Sequence, residues 1–387
     1  MPHMGDVGST AGPTSLGIDG LAAAPRGALG HTRAAIVGAG FMGGVHARAI
    51  RVSGGRVVAA TASGPDRAEA ARTAVGAERA HPDLAAVLAD DEIDVVHVCT
   101  PNHLHAPMAA AVLAAGKHVV CEKPLATDAA TAAELEAAAT TSGRVATVPF
   151  VYRFHPVVRE ARARVRAGAL GQVHLVHGSY LQDWMLRPDD DDWRVDPDLG
   201  GPSRAFGDIG SHWCDLAEFV TGDRLATLQA QTTTVHPRRG GRDVRTEDLV
   251  TVQFRTVGGA LGTCVISQVS AGRKNRLYLE VSGTQATYGF DQEDPERLWV
   301  GGREGSGYLV RDPDTLGPEA ARYARIPAGH AQGYQDAFDH FVGDTYAAIA
   351  GDAPDGLPTF ADGARAARLA QAVLDSARDG RSVEVAP

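Results

Sequence analysis

Gly38-x-Gly40-x-x-Gly43 stands where an apolar run, Ala34-Ala-Ile-Val37, gives way to a helical pattern reaching Ile50. Glycines at this spacing let a chain turn tightly at Gly38, let a pyrophosphate approach the backbone at Gly40, and let the helix pack close to its strand at Gly43. Phe41 and Met42 complete the turn. The phosphates of a dinucleotide would rest on the helix N-terminus, where free N–H groups and the helix dipole favour an anion. The strand before the fingerprint and the helix after it give it weight that the glycines alone lack. The expected cofactor is NAD or NADP. An acid usually ends the second strand, about 20 residues on, and holds the adenine ribose 2′-hydroxyl. Here Val57-Val-Ala-Ala-Thr61-Ala62-Ser63-Gly64 offers hydroxyls instead, with Arg67 following. Either Ser63 and Arg67 take a ribose 2′-phosphate or Arg67 is a solvated helix residue, so the preference between NAD and NADP stays open.

Three further groups follow in order. They are Cys99-Thr100-Pro101-Asn102-x-x-His105, Glu122-Lys123-Pro124, and Asp208-Ile-Gly210-Ser-His212-x-x-Asp215. Together they resemble the Gfo/Idh/MocA family (glucose-fructose oxidoreductase, inositol dehydrogenase, rhizopine catabolism), from about Arg33 to the C-terminus. The resemblance implies a Rossmann domain followed by an open-faced antiparallel sheet domain, with substrate lying between sheet and nicotinamide. It carries over Lys123, Asp208 and His212 as the catalytic set. It also places Thr100, Pro101, Asn102, His105 and Glu122 around the cofactor. The residue types suit the chemistry: hydride leaves an alcohol carbon only as the hydroxyl loses a proton, and histidine, with an ordinary pKa of about 6.5, suits that transfer. The lysine ammonium would stabilise developing alkoxide charge. Asp208, four residues before His212, would share its helix face and bond the substrate or the imidazole. Plainer roles exist for each: a helix N-cap for Asp208, a core pairing with Asp215 for His212, an exposed loop position for Lys123.

The resemblance further implies that Trp193 and Arg194 reach the cofactor and close the pocket. Gln182 and Trp184, in Tyr180-Leu-Gln182-Asp183-Trp184, are expected substrate contacts, as is Arg153 in Tyr152-Arg153-Phe154-His155-Pro156. His330, in Pro327-Ala-Gly329-His330-Ala-Gln-Gly333-Tyr334, either contacts substrate or caps the helix from Tyr334; Ala331-Gln332 replaces the Pro-Glu of the family segment. Aromatic faces and bidentate donors suit a polyhydroxylated ring, although Trp184 and Trp193 could equally pack an interface. The run Asp189 to Asp192 reads as a solvated turn, and no metal is expected, because adjacent carboxylates do not converge on one ion without other ligands. Cys99, Cys121, Cys214 and Cys264 lie far apart and read as core.

The elements that must position these groups alternate in the first part of the chain. Strand-like runs at Arg56 to Thr61, Asp94 to Cys99, His118 to Cys121 and Val145 to Val148 are separated by Ala-rich helical stretches, Met108 to Ala115 and Ala129 to Ala139 among them. This pattern gives a doubly wound parallel α/β sheet over 33–150. After a helix at Pro156 to Ala167 and a β run from Val173 to Leu186, period-two alternation with glycine turns marks antiparallel hairpins, and helical patterns return at Tyr334 to Ile349 and Phe360 to Arg378. Residues 151–387 thus read as an α+β domain for substrate and oligomerisation, whose C-terminal helix could pack back on the first domain. Met1 to Thr32, rich in Gly, Ala and Pro, reads as a flexible extension. The 387-residue chain has net charge −10 and a pI near 5.8, which disfavours nucleic acid and anionic membranes. No apolar stretch is long enough for a membrane span and no secretory signal is evident, so a cytoplasmic location is expected. A homo-oligomer is expected from the uncovered sheet face that the resemblance implies. Three functions fit: hydride transfer between NAD(P) and a ring carbinol of a sugar, glycoside or cyclitol; redox-assisted elimination with recycled nucleotide; or a nucleotide sensor, which has no need of an intact catalytic trio.

Overall fold

The computed structural model describes residues 32–385, so the expected N-terminal extension lies outside the described residues except for Thr32. Strands β1 (Arg33–Val37), β2 (Arg56–Thr61), β3 (Arg79–Ala80), β4 (Val95–Val98), β5 (His118–Cys121) and β6 (Ala146–Thr147) form a parallel sheet in the order β3-β2-β1-β4-β5-β6. Helices α1 (Phe41–Val52), α2 (Pro65–Val75), α3 (Leu84–Leu88), α4 (His105–Ala114) and α5 (Ala129–Ser142) lie between them in sequence. β1, β4 and β5 are mostly Ala, Val and Ile and are buried along nearly their whole length, the composition that a sheet covered on both faces requires. Strand order reverses between β1 and β4, which opens a crevice beyond their C-terminal ends. β4 and β6 are shorter than the apolar runs that announce them. α4 starts three residues early, and α5 runs on to Ser142, where Gly143 adopts a left-handed conformation and ends it.

The second sheet is built from β7 (Val173–Leu181), β8 (Leu225–Thr233), β11 (Leu249–Thr256), β12 (Leu261–Ser267), β13 (Arg276–Gly283), β14 (Ala286–Asp291), β15 (Arg297–Gly302), β16 (Gly305–Val310) and β17 (Val383–Glu384). A small hairpin, β9 (Arg238–Arg239) and β10 (Arg242–Asp243), stands apart from it. The order is β16-β15-β14-β13-β7-β12-β11-β8-β17, antiparallel throughout except where β7 and β12 run parallel at its centre. β7 stops at Leu181 and not at Leu186, because the chain turns back through Asp183–Leu186. Val250, Val252 and Phe254 face the core while Thr251, Gln253 and Arg255 face out. Helices α6 (Pro156–Arg166), α7 (Pro197–Gly200) and α8 (Ser211–Thr221) precede most of the sheet, and Trp213 and Leu216 of α8 pack on its inner face. The opposite face leaves Leu261, Val265 and Tyr308 exposed.

After α9 (Pro318–Ala321) come α10 (Tyr334–Ile349) and α11 (Phe360–Asp379). α10 packs against α1, and its Phe338, Phe341, Val342 and Tyr346 share a core with Ala34, Ile36 and Val57. α11 touches both sheets: Phe360 and Ala364 join the first core, Leu369 and Val373 the second. No helix among the described residues is long and apolar enough to cross a membrane.

Candidate active site

The glycine turn after β1 shows which of its glycines the protein itself demands. Gly38 has φ +94°, and a Cβ there would lie 2.6 Å from the Cys99 carbonyl oxygen; one on Gly43 would lie 2.5 Å from the Gly38 oxygen. A Cβ on Gly40 would meet no protein atom within 4 Å. The open space at Gly40 fits an approaching pyrophosphate, and α1 begins at Gly40 with no side-chain cap and no acid in its first turn. Phe41 is 80% exposed beside that space, and Met42 packs on the core below. The residues present fit a dinucleotide. At the second strand, β2 ends on Thr61, so Ala62 is the first residue beyond it. Ser63 Oγ accepts a bond from Arg67 Nη1 at 3.1 Å on the exposed start of α2.

Past β4 and β5, the two loops at the crevice are tied together. His105 places its ring nitrogens 2.8 Å from the Thr100 oxygen and 2.7 Å from the Pro124 oxygen. Both nitrogens are thus engaged with main chain, and His105 braces the Thr100-Pro101-Asn102 turn through its ring. Asn102 Nδ2 donates to the Gly200 oxygen at 2.8 Å, joining the turn to α7. The Glu122 carboxylate points inward to His46 at 3.0 Å and accepts the Lys123 N–H at 3.1 Å.

Lys123 reaches across to the second sheet's helical layer. Its Nζ lies 2.6 Å from Asp208 Oδ1 and 3.2 Å from the Asp208 carbonyl oxygen. Asp208 sits in a turn of π-helix, Phe206–Gly210, leading into α8; such turns recur at functional sites. Gly210 holds the cap position of α8, so Asp208 is not its N-cap. Gln268, which follows β12, donates to Asp208 Oδ2 at 2.8 Å, and Arg194 Nε stands 3.8 Å from Oδ1. Burial would raise the Asp208 pKa, but Lys123 and then Arg194 hold it at about 2. His212 lies edge-on to Tyr152 and Phe150, with ring centroids 5.1 and 5.6 Å apart, and its Nδ1 has no hydrogen-bond partner. Burial, helped by the Lys123 charge, lowers its pKa to about 3. A neutral imidazole, a cation and a carboxylate therefore meet beside the crevice. The suggested His212–Asp215 pair does not form, because Asp215 is bound by Arg153.

A polar floor adjoins them. Tyr152 and Tyr180 hydroxyls are 2.5 Å apart, Tyr180 donates to Asn275 Oδ1 at 2.7 Å, Gln182 Nε2 donates to the same oxygen at 2.8 Å, and Trp184 Nε1 donates to Gln182 Oε1 at 2.9 Å. Gln182 and Trp184 thus join this network; Tyr180 and Asn275 were not singled out as site residues, nor was Gln268. Arg194 lies 4.3 Å above the Trp193 ring and bonds Asp192. Of the acidic run, Asp190 accepts the Arg187 N–H and Asp191 pairs with Arg242. The Arg153 guanidinium is taken up by Asp215 and Asp362, and the residue lines a cavity of about 500 Å³ with Arg162, Phe219 and Arg365. His330 is exposed on the loop before α10 and does not cap it; Gly333 and Asp336 do, while Arg311 binds the His330 carbonyl. Cys121, Cys214 and Cys264 are buried and Cys99 partly so.

The family model described as an oxidoreductase family with NAD-binding Rossmann fold matches residues 32–150, and that described as the GFO/IDH/MocA C-terminal domain matches 158–289. Levoglucosan dehydrogenase of Pseudarthrobacter phenanthrenivorans is 32% identical over 90% of this chain and 97% of its own. A structure of levoglucosan dehydrogenase in complex with NADH and levoglucosan superposes with TM-score 0.87 at 29% identity, covering 92% of this chain and 100% of that one. D-xylose 1-dehydrogenase (NADP(+)) 2 of Haloferax volcanii is 35% identical over 46% of this chain and 53% of its own. With a glycine-cradled crevice, the lysine, aspartate and histidine meeting beside it, and relatives matching along nearly the whole length, this chain belongs to the Gfo/Idh/MocA family of oxidoreductases.

Proposed function

We propose that the protein moves hydride between NAD(P) and a ring carbinol of a sugar, anhydrosugar, glycoside or cyclitol, with Lys123, Asp208 and His212 acting on the carbinol. The observation that carries this reading is the convergence of those three side chains, from separate sheets' loops, beside a crevice shaped for a dinucleotide. Bound nicotinamide supplies the hydride acceptor or donor. His212, neutral at working pH, accepts the hydroxyl proton as the carbon is oxidised and returns it in reduction. Lys123 stabilises the developing alkoxide, and Asp208, fixed by Gln268, holds the lysine in place. Trp193 and Arg194 close the pocket over the cofactor, and Gln182 and Trp184 offer a polar and an aromatic contact to the ring. We assign 33–150 to the nucleotide and 151–387 to substrate and assembly, with α10 and α11 crossing back, and place the protein in the cytoplasm. The test is a screen of polyols, glycosides, anhydrosugars and inositols with each nucleotide. Net formation of reduced nicotinamide with at least one of them supports the reading, and its absence across all of them ends it.

Two expectations concern the cofactor and the base. With no acid at Thr61, Ala62 or Ser63, discrimination between NAD and NADP should be weak, and Ala62→Asp should lower NADP affinity at least about tenfold, roughly 1.4 kcal/mol, while NAD affinity holds. Equal loss of both cofactors would mean that Ala62 is not at the ribose. Because His212 stays unprotonated well below its ordinary range, kcat/KM for alcohol oxidation should be level from about pH 8 to about pH 6. A decline centred on about 6.5 would show an ordinary, solvated histidine. Finally, Leu261, Val265 and Tyr308, exposed among polar residues on the outer face of the second sheet, support a homo-oligomer; a monomer by light scattering at micromolar concentration would refute it.

A further inference from the structure

Tyr346, His97, His46 and Glu122 lie in a line through the core of the nucleotide-binding unit. They come from α10, β4, α1 and the residue after β5. The first three are fully buried and Glu122 is 5% exposed. Tyr346 Oη is 3.0 Å from His97 Nε2, the two histidine Nδ1 atoms are 2.8 Å apart, and His46 Nε2 is 3.0 Å from Glu122 Oε1. The other Glu122 oxygen accepts the main-chain N–H of Lys123.

For two neutral rings, counting donors leaves one arrangement of protons. A carboxylate only accepts, so His46 Nε2 carries a hydrogen. One hydrogen serves the two Nδ1 atoms; with both rings neutral it sits on His97, whose Nε2 then accepts from the tyrosine hydroxyl. Every group is satisfied in one direction, Tyr346 to His97 to His46 to Glu122. Burial holds His97 well below its ordinary pKa, in keeping with a neutral ring. Burial alone would raise Glu122, but the His46 hydrogen bond brings it below the usual carboxylate value. An apolar cluster of the same volume would fill this space without any buried polar group to satisfy, and the one end of the chain that leaves the core ends on the lysine's own backbone.

We propose that Tyr346, His97 and His46 are positioning residues for Lys123, which fix the Glu122 carboxylate and through it the main chain from which the lysine projects. The inference rests on the reading of Lys123 as a catalytic group. It predicts that His46→Phe and Glu122→Gln each lower turnover about ten- to hundredfold with substrate KM changed less than about threefold. The double variant should fall no further than the worse single one, since His46 acts only through Glu122. Tyr346→Phe, which removes one oxygen and keeps the ring, should lose about two- to fivefold and guards against a folding failure. In the unliganded wild-type protein, imidazole nitrogen NMR should find His46 protonated at Nε2 and His97 at Nδ1, with the His46 signals displaced in Glu122→Gln. Wild-type turnover in folded His46→Phe while Lys123→Ala is inactive, multiplying losses in the double variant, or the reverse tautomers each overturn the proposal. Wild-type turnover in Lys123→Ala instead removes the functional reading on which it rests.

Discussion

Lys123→Ala lowers turnover by roughly two to four orders of magnitude, and His212→Ala does the same, the usual scale for removing a positioned proton-transfer or charge-stabilising group. The geometry explains why neither loss is made good by a neighbour. Beside Lys123, the nearest cation to Asp208 is Arg194 at 3.8 Å, already bonded to Asp192. His212 is enclosed by Phe150 and Tyr152, neither of which accepts a proton near neutral pH. Removing the lysine also leaves Asp208 with Gln268 as its one close donor, so part of the loss could be structural. The double variant Lys123→Met/Asp208→Asn separates the two: it should be as inactive as Lys123→Ala yet melt closer to wild type. NADH affinity should change by less than about tenfold in all of them. Wild-type rates in both Lys123→Ala and His212→Ala would end the assignment.

Stability should fall on the acid side of about pH 6.5. Burial pulls the pKa of His97 and His340 well below the ordinary value, and takes His155 to about 4 and His212 to about 3. In the unfolded chain each titrates near 6.5. Below that pH the unfolded state binds more protons, so stability is fully present above about 6.5 and is lost as pH falls toward the folded values. His155 and His212 each remove about 1.4 kcal/mol per pH unit once well below 6.5, His97 and His340 act in the same sense, and Asp215, which burial raises to about 7, opposes them by about as much as one histidine down to about pH 4. Against a typical total of about 5–15 kcal/mol, a loss on this scale lowers the melting temperature by pH 5 without by itself unfolding the protein. Asp90, Asp208 and Asp355, each held at about 2, act in the same sense but only below about pH 4. Thermal melts at intervals from pH 8 to 5 test this, and His155→Phe should lessen the slope. A melting temperature unchanged from pH 7 to 5 would contradict it.

The nucleotide-binding sheet was legible in the sequence because its signals are local. Five buried runs rich in Val, Ile and Ala and one glycine turn place the crevice without any knowledge of distant contacts. Lys123, Asp208 and His212 were legible through their order along the chain. What escaped depends on register and on partners far away. Gln268 and Asn275 have nothing in their surroundings to mark them; the pairing of β12 and β13 with β7 brings them to Asp208 and Tyr180. The ion pairs of Arg153 were not legible, because Asp215 and Asp362, which claim it, are invisible from its own segment. The bond of Glu122 to His46 was not legible for a similar reason, although a clue existed: a histidine inside the apolar run Val95-Val-His97-Val98 must find a partner, and His46 stands on the helix opposite.

The return of α10 and α11 to the first sheet bears on how the chain can be made. During synthesis, residues 33–150 emerge with one face of β1 bare, since Phe338, Phe341 and Tyr346 are still to come. The centre of the second sheet is also late, because β7 finds both its neighbours, β12 and β13, only after a long stretch of further chain. Neither unit can finish before the other, and contacts this distant slow folding. A fragment ending at Phe150 should therefore aggregate when expressed alone, and loss of the last two helices should be felt first as a failure to hold nucleotide.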